Sequence, residues 1–375
     1  MNARKKLKDA RVALVFDWMT TAGGAEKVNL QLHKIFPEAD IFTSIYNPEK
    51  VKGFESANIK TSFIQKLPFS KTKHQLYLTL MPYAYESFDF RDYDIVISSS
   101  HSCAKGIITK VETLHICYCH TPMRYAWDNW QQYIEEYKMN GFLKKIAKKQ
   151  MHKLRIWDKI SAERVDHYIA NSKITSKRIK KYYRKNSEII HPSINSENFH
   201  ISEKPENYYL AVGRLIPYKK FELIIEAFNK TGLQLKIAGT GVAEEELKAK
   251  ANSNIEFLGY VSDKKLRELY SNCQALIFPQ VEDFGITPLE AMSSGRPVIA
   301  YAEGGALDTI IDGKTGILFE EQSPEGLIDA LERFQDIKGK LNPTEIKKHA
   351  DNFDNEKFRD QIVDYIEQKW DLWKS

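Results

Sequence analysis

What most constrains this chain is a rhythm, run twice, of short apolar segments alternating with longer stretches of helical period. RVALVF (11–16), DIVISSS (94–100), HICYC (115–119), HYIANS (167–172) and SEIIHPS (187–193) read as strands in the first half. YYLAVGRL (208–215), LQLKIAGTG (233–241), NIEFLG (254–259), ALIFP (275–279), RPVIAY (296–301) and GILFE (316–320) read as strands in the second. TAGGAEKVNLQLHKIF (21–36), FELIIEAFNKT (221–231), EEELKAKA (244–251) and DKKLRELYSNC (263–273) read as helices. Strands apolar along their whole length are buried on both faces, as in a parallel sheet with helices on either side. The pattern therefore predicts an α/β chain with two Rossmann-like, doubly wound parallel sheets, and 375 residues give room for both. PSINSENFHISEKPE (192–206) is polar, holds two prolines and has no period. The expected domains are thus 1–192 and 207–354, joined by a linker at 193–206. Residues 355–375 form a terminal helix with Phe358, Ile362, Tyr365, Ile366 and Trp370 near one face.

Hydrophobic residues at 42% and charged residues at 28% suit two ordinary cores. The net charge of +5 conceals an asymmetry. Residues 138–185 hold 16 Lys and Arg against three acids, a net +13, which leaves −8 for the rest of the chain. One basic segment on an acidic protein points to an anionic partner or surface. The four cysteines have no C-x-x-C spacing, and Cys117 and Cys119 alternate on one strand, as small buried side chains in a reduced chain do. No apolar run approaches the roughly 18 residues of a membrane span. The N-terminal stretch is basic, but its apolar run stops at Asp17, so it is not read as a signal peptide. The first strand-to-helix turn lacks G-x-G-x-x-G, which argues against a dinucleotide-dependent oxidoreductase.

EDFGITPLEAMSSGRPVIA (282–300) places two carboxylates, Glu282 and Glu290, around a strand-to-helix turn. Two readings fit. In one, Thr287 is an N-cap, Pro288 the first helical residue and Glu290 the third, a T-x-x-E capping box closed by Gly295. In the other, the same turn lies beyond the carboxyl end of a strand, where open α/β sheets bind ligands. A helix start there suits a phosphate. Glu290 can then accept from ribose hydroxyls and Glu282 from a sugar, which is the order of parts in a nucleotide sugar. Similar stations recur elsewhere. Gly23 and Gly24 permit close backbone approach at a helix start, or simply a turn. Arg214 and Lys219 follow a strand and can neutralise a diphosphate, or form a solvated surface. His120, Asp17 and His101 lie at strand ends.

EDFGITPLE, followed by AMSSGRPVIAYAEGG, resembles the donor-site signature E-x₇-E of glycosyltransferase family 4. VGRLIPYKKFELIIEAF is similar to that family's G-R-L-x-x-x-K segment, and IAGTG and IEFLGYVSDKKLRELYSNC match it in order. DWMTTAGGAEKV and CYCHTPMRYAWD resemble bacterial O-antigen mannosyltransferases that use GDP-mannose. The resemblance runs over about residues 11 to 330. It implies the GT-B fold, two Rossmann-like domains facing a central cleft, with the helix 355–375 packed back on the first. It implies a retaining transfer of mannose from GDP-mannose to a lipid-linked saccharide in cell-surface polysaccharide synthesis. A UDP-sugar-dependent hexosyltransferase and an inactive nucleotide-sugar-binding protein are the alternatives. The implied catalytic set is His120, Glu282, Arg214 and Lys219. Donor binding adds Gly23, Gly24, Gly259, Tyr260, Val261, Asp283, Phe284, Gly285, Ile286, Thr287 and Glu290. Asp17, His101 and Arg124 are the acceptor-side candidates. The resemblance also implies a front-face mechanism in which the leaving phosphate assists acceptor deprotonation, with Glu282 positioning the sugar; no acid in the sequence can be assigned as a nucleophile. No D-x-D-like metal pair lies in a suitable loop, so no cofactor and no essential metal are expected. One departure is Asp308, where the family often has Glu.

In GFLKKIAKKQMHKLRIWDKI, apolar Phe142, Leu143, Ile146, Leu154 and Ile156 interleave with Lys144, Lys145, Lys148, Lys149, Lys153 and Arg155. A cationic amphipathic helix of this kind can lie on an anionic leaflet, or can be a solvated face. Nucleic acid is not an expected partner, because no recognised module appears. The expected location is cytoplasmic, peripheral to the inner face of the membrane.

Overall fold

A computed structural model describes residue 7 and residues 10–128, 130–131 and 141–375, with the side chains of Phe142 and Leu143 outside that set. The described strands form two parallel sheets. The first holds β1 (Val12–Phe16), β2 (Asp40–Thr43), β3 (Ile59–Thr61), β4 (Ile95–Ser100), β5 (Leu114–Cys119), β6 (His167–Ala170) and β7 (Ser187–Ile189), in the order β3-β2-β1-β4-β5-β6-β7. The second holds β8 (Tyr209–Val212), β9 (Leu235–Ala238), β10 (Ile255–Gly259), β11 (Leu276–Phe278), β12 (Val298–Tyr301) and β13 (Gly316–Phe319), in the order β10-β9-β8-β11-β12-β13. β4 and β5 are buried at every residue and lie centrally, whereas edge strands β3 and β7 are short and largely exposed. Each order reverses once, between β1 and β4 and between β8 and β11, which fixes the switch point where such sheets bind ligands.

The helices of the first half are α1 (Gly24–Ile35), α2 (Met81–Glu86), α3 (Gly141–Ser161) and α4 (Lys173–Arg178). Those of the second are α5 (Phe221–Thr231), α6 (Glu244–Lys250), α7 (Asp263–Asn272), α8 (Ile286–Ser293), α9 (Ala306–Thr309), α10 (Pro324–Ile337) and α11 (Pro343–Ala350). α12 (Asn355–Lys374) ends the chain. Alternate residues of each strand face opposite layers, so each sheet has two cores. On one face of the first sheet, Leu14, Phe16, Ile97, Ile116 and Tyr118 pack with Val28 and Leu32 of α1 and with Phe358, Ile362, Ile366 and Trp370 of α12. On the other, Ala13, Val15 and Val96 pack with Ile64, Met81, Tyr85 and Leu154. The second sheet repeats the arrangement, with Phe221, Phe228, Leu331 and Phe334 on one side and Tyr270, Leu289, Met292 and Ile346 on the other.

Two compact units result. One ends at His191 and takes back Phe358–Ser375, and the other is Pro192–Lys357. The segment expected as a linker is part of the second unit. Ile194 is buried in its core and bridges Asp354, and Ser196 donates to Asp354 at 3.0 Å. Ser193, Ile194 and Ser196 are buried, whereas Asn195, Glu197, Asn198, His200 and residues 203–206 are exposed, so most of its polar residues face solvent.

Candidate active site

In the first unit, the residues at the switch point bind each other. Asp17 follows β1, and the loop leaving β4 wraps its carboxylate. The backbone N–H groups of His101, Ser102, Cys103 and Ala104 donate to it at 2.7–2.8 Å, Ser100 Oγ lies at 3.3 Å, and His101 Nδ1 at 2.7 Å. Burial opposes the charge, yet the His101 contact and the N–H groups outweigh it and bring the carboxyl down to about 2. Asp17 is only 4% exposed. Asp17 is expected on the acceptor side; its oxygens serve the loop and orient His101, whose side chain is 34% exposed.

Around this knot lie groups without any motif to mark them. Trp18 stacks on His74 with centroids 4.7 Å apart and meets His101 at 5.0 Å. His74 Nδ1 lies 3.2 Å from Thr20 Oγ1, and burial together with His101 lowers its imidazole to about 4. His120, at the end of β5, sits 6.4 Å from His101 and places Nε2 2.8 Å from Ser99 Oγ. Burial, reinforced by His101, lowers His120 to about 3, so it is neutral at neutral pH. Gly23 is the extended N-cap of α1, and the carboxylate of Glu26 turns back to accept from its N–H. Burial raises the Glu26 carboxyl. Glu26 was visible in the sequence as the third helical residue after a glycine pair, whereas His74 lies in a stretch with no period. Gly24 opens α1, and Arg124 follows the buried Met123 on the loop after β5.

The second unit has the matching arrangement. Lys219 (after β8) and Glu282 (after β11) form an ion pair across its switch point, with side chains 15% and 20% exposed. Lys219 was expected on a diphosphate and Glu282 on a sugar, but in this structure they hold each other. Arg214 is exposed on the same loop. The Glu282 backbone is braced by the turn after β12, where Gly305 N donates to Glu282 O at 2.9 Å. A Cβ on Gly305 would lie 2.0 Å from Phe284 O, so only glycine permits this approach.

The capping box is not formed. The N-cap of α8 is Gly285, at φ +87°, with no side-chain cap. Glu290 accepts from the hydroxyl of Tyr270 on α7 at 3.0 Å, and that hydroxyl also meets Thr287. A buried phenol has displaced the local cap, and burial followed by the Glu290 charge pushes it well above the ordinary tyrosine range. The ring of Phe284 is buried, with its centroid 6.1 Å from that of Phe353. Asp283, Ile286 and Gly259 are half-buried, and Val261 flanks the exposed Tyr260. Among the described residues, no cluster of three or more His, Cys, Asp or Glu is placed to hold a metal ion.

Along α3, Lys145, Lys148, Lys149 and Lys153 are exposed together with Ile146, Ile156 and Ile160, while Met151, Leu154 and Asp158 are buried. Lys144 is half-buried. Arg155 does not belong to the outward face, because Nε donates to Ala126 O at 2.7 Å and the guanidinium lies over Trp127 and Trp130. No described helix is long and apolar enough to cross a membrane.

Comparison with known proteins follows these sites. A model of Glycosyltransferase Family 4 matches residues 22–198, and one of Glycosyl transferases group 1 matches residues 194–353. Over 204 residues the chain is 31% identical to the alpha-1,3/1,6-mannosyltransferase ALG2 of Dictyostelium discoideum, covering 41% of this chain and 49% of that protein. Over 242 residues it is 28% identical to the O-antigen chain mannosyltransferase RfbU of Salmonella typhimurium, covering 58% and 65%. Both alignments span less than two thirds of the relative. The sucrose-phosphate synthase of Thermosynechococcus elongatus shares the fold, with a TM-score of 0.76 over 96% of this chain and 100% of that one at 16% identity. Because the two family models run without a gap from residue 22 to residue 353, over two parallel sheets of the GT-B kind, the chain belongs to the family 4, group 1 glycosyltransferases.

Proposed function

We propose that this glycosyltransferase transfers mannose from GDP-mannose to a lipid-linked saccharide, with retention and without an essential metal. The observation that carries the reading is the second unit's switch point, where a cation and two carboxylates, Lys219, Glu282 and Glu290, stand at the carboxyl ends of the strands. Lys219, with Arg214 on the same loop, supplies positive charge for a departing diphosphate, the role a divalent ion plays in other transferases. Glu290, steadied by Tyr270, accepts from ribose hydroxyls. Glu282 exchanges its bond to Lys219 for bonds to the donor sugar. In the first unit His120 is neutral and can hydrogen-bond a sugar hydroxyl without adding a charge. His101, oriented by Asp17, serves the acceptor side. No carboxylate takes the nucleophile's part, so the leaving phosphate oxygen receives the acceptor's proton on the same face. Mannose as the sugar is supported by the mannosyltransferase relatives, and the exposed lysines and isoleucines of α3 support an acceptor met at an anionic membrane surface.

The test is thermal stabilisation of the purified protein by GDP, GDP-mannose, UDP, UDP-glucose and ADP, in the absence of metal. A ligand of the folded state raises the midpoint by mass action. The reading expects a rise with GDP and GDP-mannose alone. A rise with the UDP compounds instead overturns mannose and leaves a UDP-sugar hexosyltransferase. No rise with any nucleotide removes the donor assignment.

A further inference from the structure

The first unit exposes a second apolar surface, distinct from α3. Phe63 is 47% exposed, Phe69 70%, Leu76 66%, Leu80 37% and Tyr83 67%. Single exposed apolar residues are ordinary, but five large ones within a 21-residue segment are not. They are not leftovers of an unformed core, because the same segment buries Ile64, Met81, Ala84 and Tyr85 and packs Leu67, Tyr77 and Leu78 against them. Nor is the segment loosely held. Tyr77 donates to Pro68 O at 2.7 Å, Ser70 Oγ to Gln65 O at 3.1 Å, and the N–H groups of Thr72 and Lys73 to Phe69 O at 3.0 and 2.7 Å. Phe69 itself adopts φ +57°, a left-handed conformation disfavoured for a bulky residue, with its ring outward. Between Ser62 and Tyr85 the chain carries Lys66, Lys71 and Lys73 and no acid.

We propose that Phe63–Tyr83 is a lipid-contacting finger that seats the first unit on an anionic bilayer. Projecting side chains on two 3₁₀ turns (Phe63 and Leu76), the loop between them (Phe69) and the start of α2 (Leu80, Tyr83), with interspersed cations and no acid, suit a headgroup–acyl boundary better than a protein groove, which would meet a continuous helix stripe or strand edge. The finger and α3 cover the same face of the sheet, since Leu154 shares the core of Ile64 and Met81, and Trp157 Nε1 donates to Glu86 at 2.8 Å. The finger also carries His74, which stacks on Trp18 beside the Asp17–His101 knot. A lipid held by the finger is thereby met next to the candidate site. The inference rests on the lipid-linked-acceptor reading for what the contact serves, while its evidence is independent.

The full chain is mixed with vesicles of phosphatidylcholine plus phosphatidylglycerol, or of phosphatidylcholine alone, and sedimented. Wild type is expected to partition onto the anionic vesicles. Phe69→Ser with Leu76→Ser is expected to weaken partition about tenfold, and Lys66→Gln, Lys71→Gln and Lys73→Gln together to remove the preference for phosphatidylglycerol. The thermal midpoint of each variant, and its rise with GDP, stay at the wild-type values, so a loss of partition is not a loss of fold. Variants that partition like wild type overturn the proposal. It is equally overturned if light scattering finds wild type self-associated, Phe69→Ser with Leu76→Ser restores single chains, and no vesicle binding occurs. A wild type that binds vesicles but not GDP leaves the finger standing and removes the donor reading instead.

Discussion

Lys219 and Glu282 hold each other across β8 and β11, so in the proposed function the donor diphosphate competes with a carboxylate for one ammonium. Lys219→Gln is expected to weaken GDP binding about tenfold or more, about 1.4 kcal/mol, by removing a charge-assisted contact. Glu282→Gln frees the ammonium, so GDP binding by titration calorimetry should hold or tighten while turnover falls about a hundredfold. Equal weakening of GDP in both variants would mean that the pair only braces the loops. Glu290→Gln keeps a carbonyl oxygen for Tyr270, so stability should change by less than about 1 kcal/mol while nucleotide affinity drops about tenfold. Unchanged affinity would leave Glu290 as no more than a partner for Tyr270. The buried imidazoles carry a pH signature. His115 is fully buried and lowered to about 4 by burial, with Nε2 2.8 Å from Ser98 Oγ and Nδ1 without a partner. His74 and His120 are lowered as well. Below about pH 6.5 the unfolded chain binds protons that the folded chain refuses, so stability falls with pH from there toward 4. His115 contributes on the order of 3 kcal/mol of that loss. His115→Gln should flatten the acid limb of a denaturation–pH curve, and an unchanged limb would rule His115 out as its source. Two carboxylates have partners that local sequence does not show. The Asp17 carboxylate and the Glu290 carboxylate are taken by partners 83 to 87 and 20 residues away. Local spacing left a capping box and a ligand carboxylate both open for Glu290, and a tertiary contact removes the capping box.

At the scale of elements, the apolar runs that mark β1, β4 to β6, β8, β9, β11 and β12 were legible because burial on both faces favours apolar residues there, the few polar ones, such as Ser98 and His115, being hydrogen-bonded to each other. β2 and β3, at four and three residues, are too short to show a period, and β3 is mostly exposed. The finger and His74 were hidden for the same reason, since 3₁₀ turns carry no 3.6-residue repeat. Loops at the site are positioned by contact between turns, which sequence patterns do not reveal. Gly305 shows the consequence. A methyl group there would meet Phe284 O, so Gly305→Ala must displace the backbone of residues 282–284. The expected cost is about 1–3 kcal/mol of stability, with weaker GDP binding as Glu282 and Lys219 are drawn out of register. Loss of stability with GDP affinity intact would show that this turn does not set the donor site.

For the whole molecule, the division at residue 191 and the return of α12 make the first unit discontinuous in sequence. A stretch of polar residues between two repeats looked like the natural boundary, but packing put it inside the second unit, while the last helix closes the first. Phe358, Ile362, Val363, Ile366 and Trp370 form part of the core on one face of the first sheet, and each fully buried apolar side chain contributes about 1.5–3 kcal/mol. A domain is stable by only about 5–15 kcal/mol, so deleting these five removes about as much as the first unit has to lose. Truncation after Lys357 is therefore expected to unfold the first unit and leave the second intact. Hydrogen exchange would read this directly, with amides of β1, β4 and β5 losing protection and those of β8, β11 and β12 keeping it. Nucleotide binding should survive in part, because Arg214, Lys219, Glu282 and Glu290 all lie in the second unit, whereas transfer to any acceptor should vanish with His101 and His120. Protection lost in both sheets would show that the two units fold as one, and that α12 ties them into a single cooperative system.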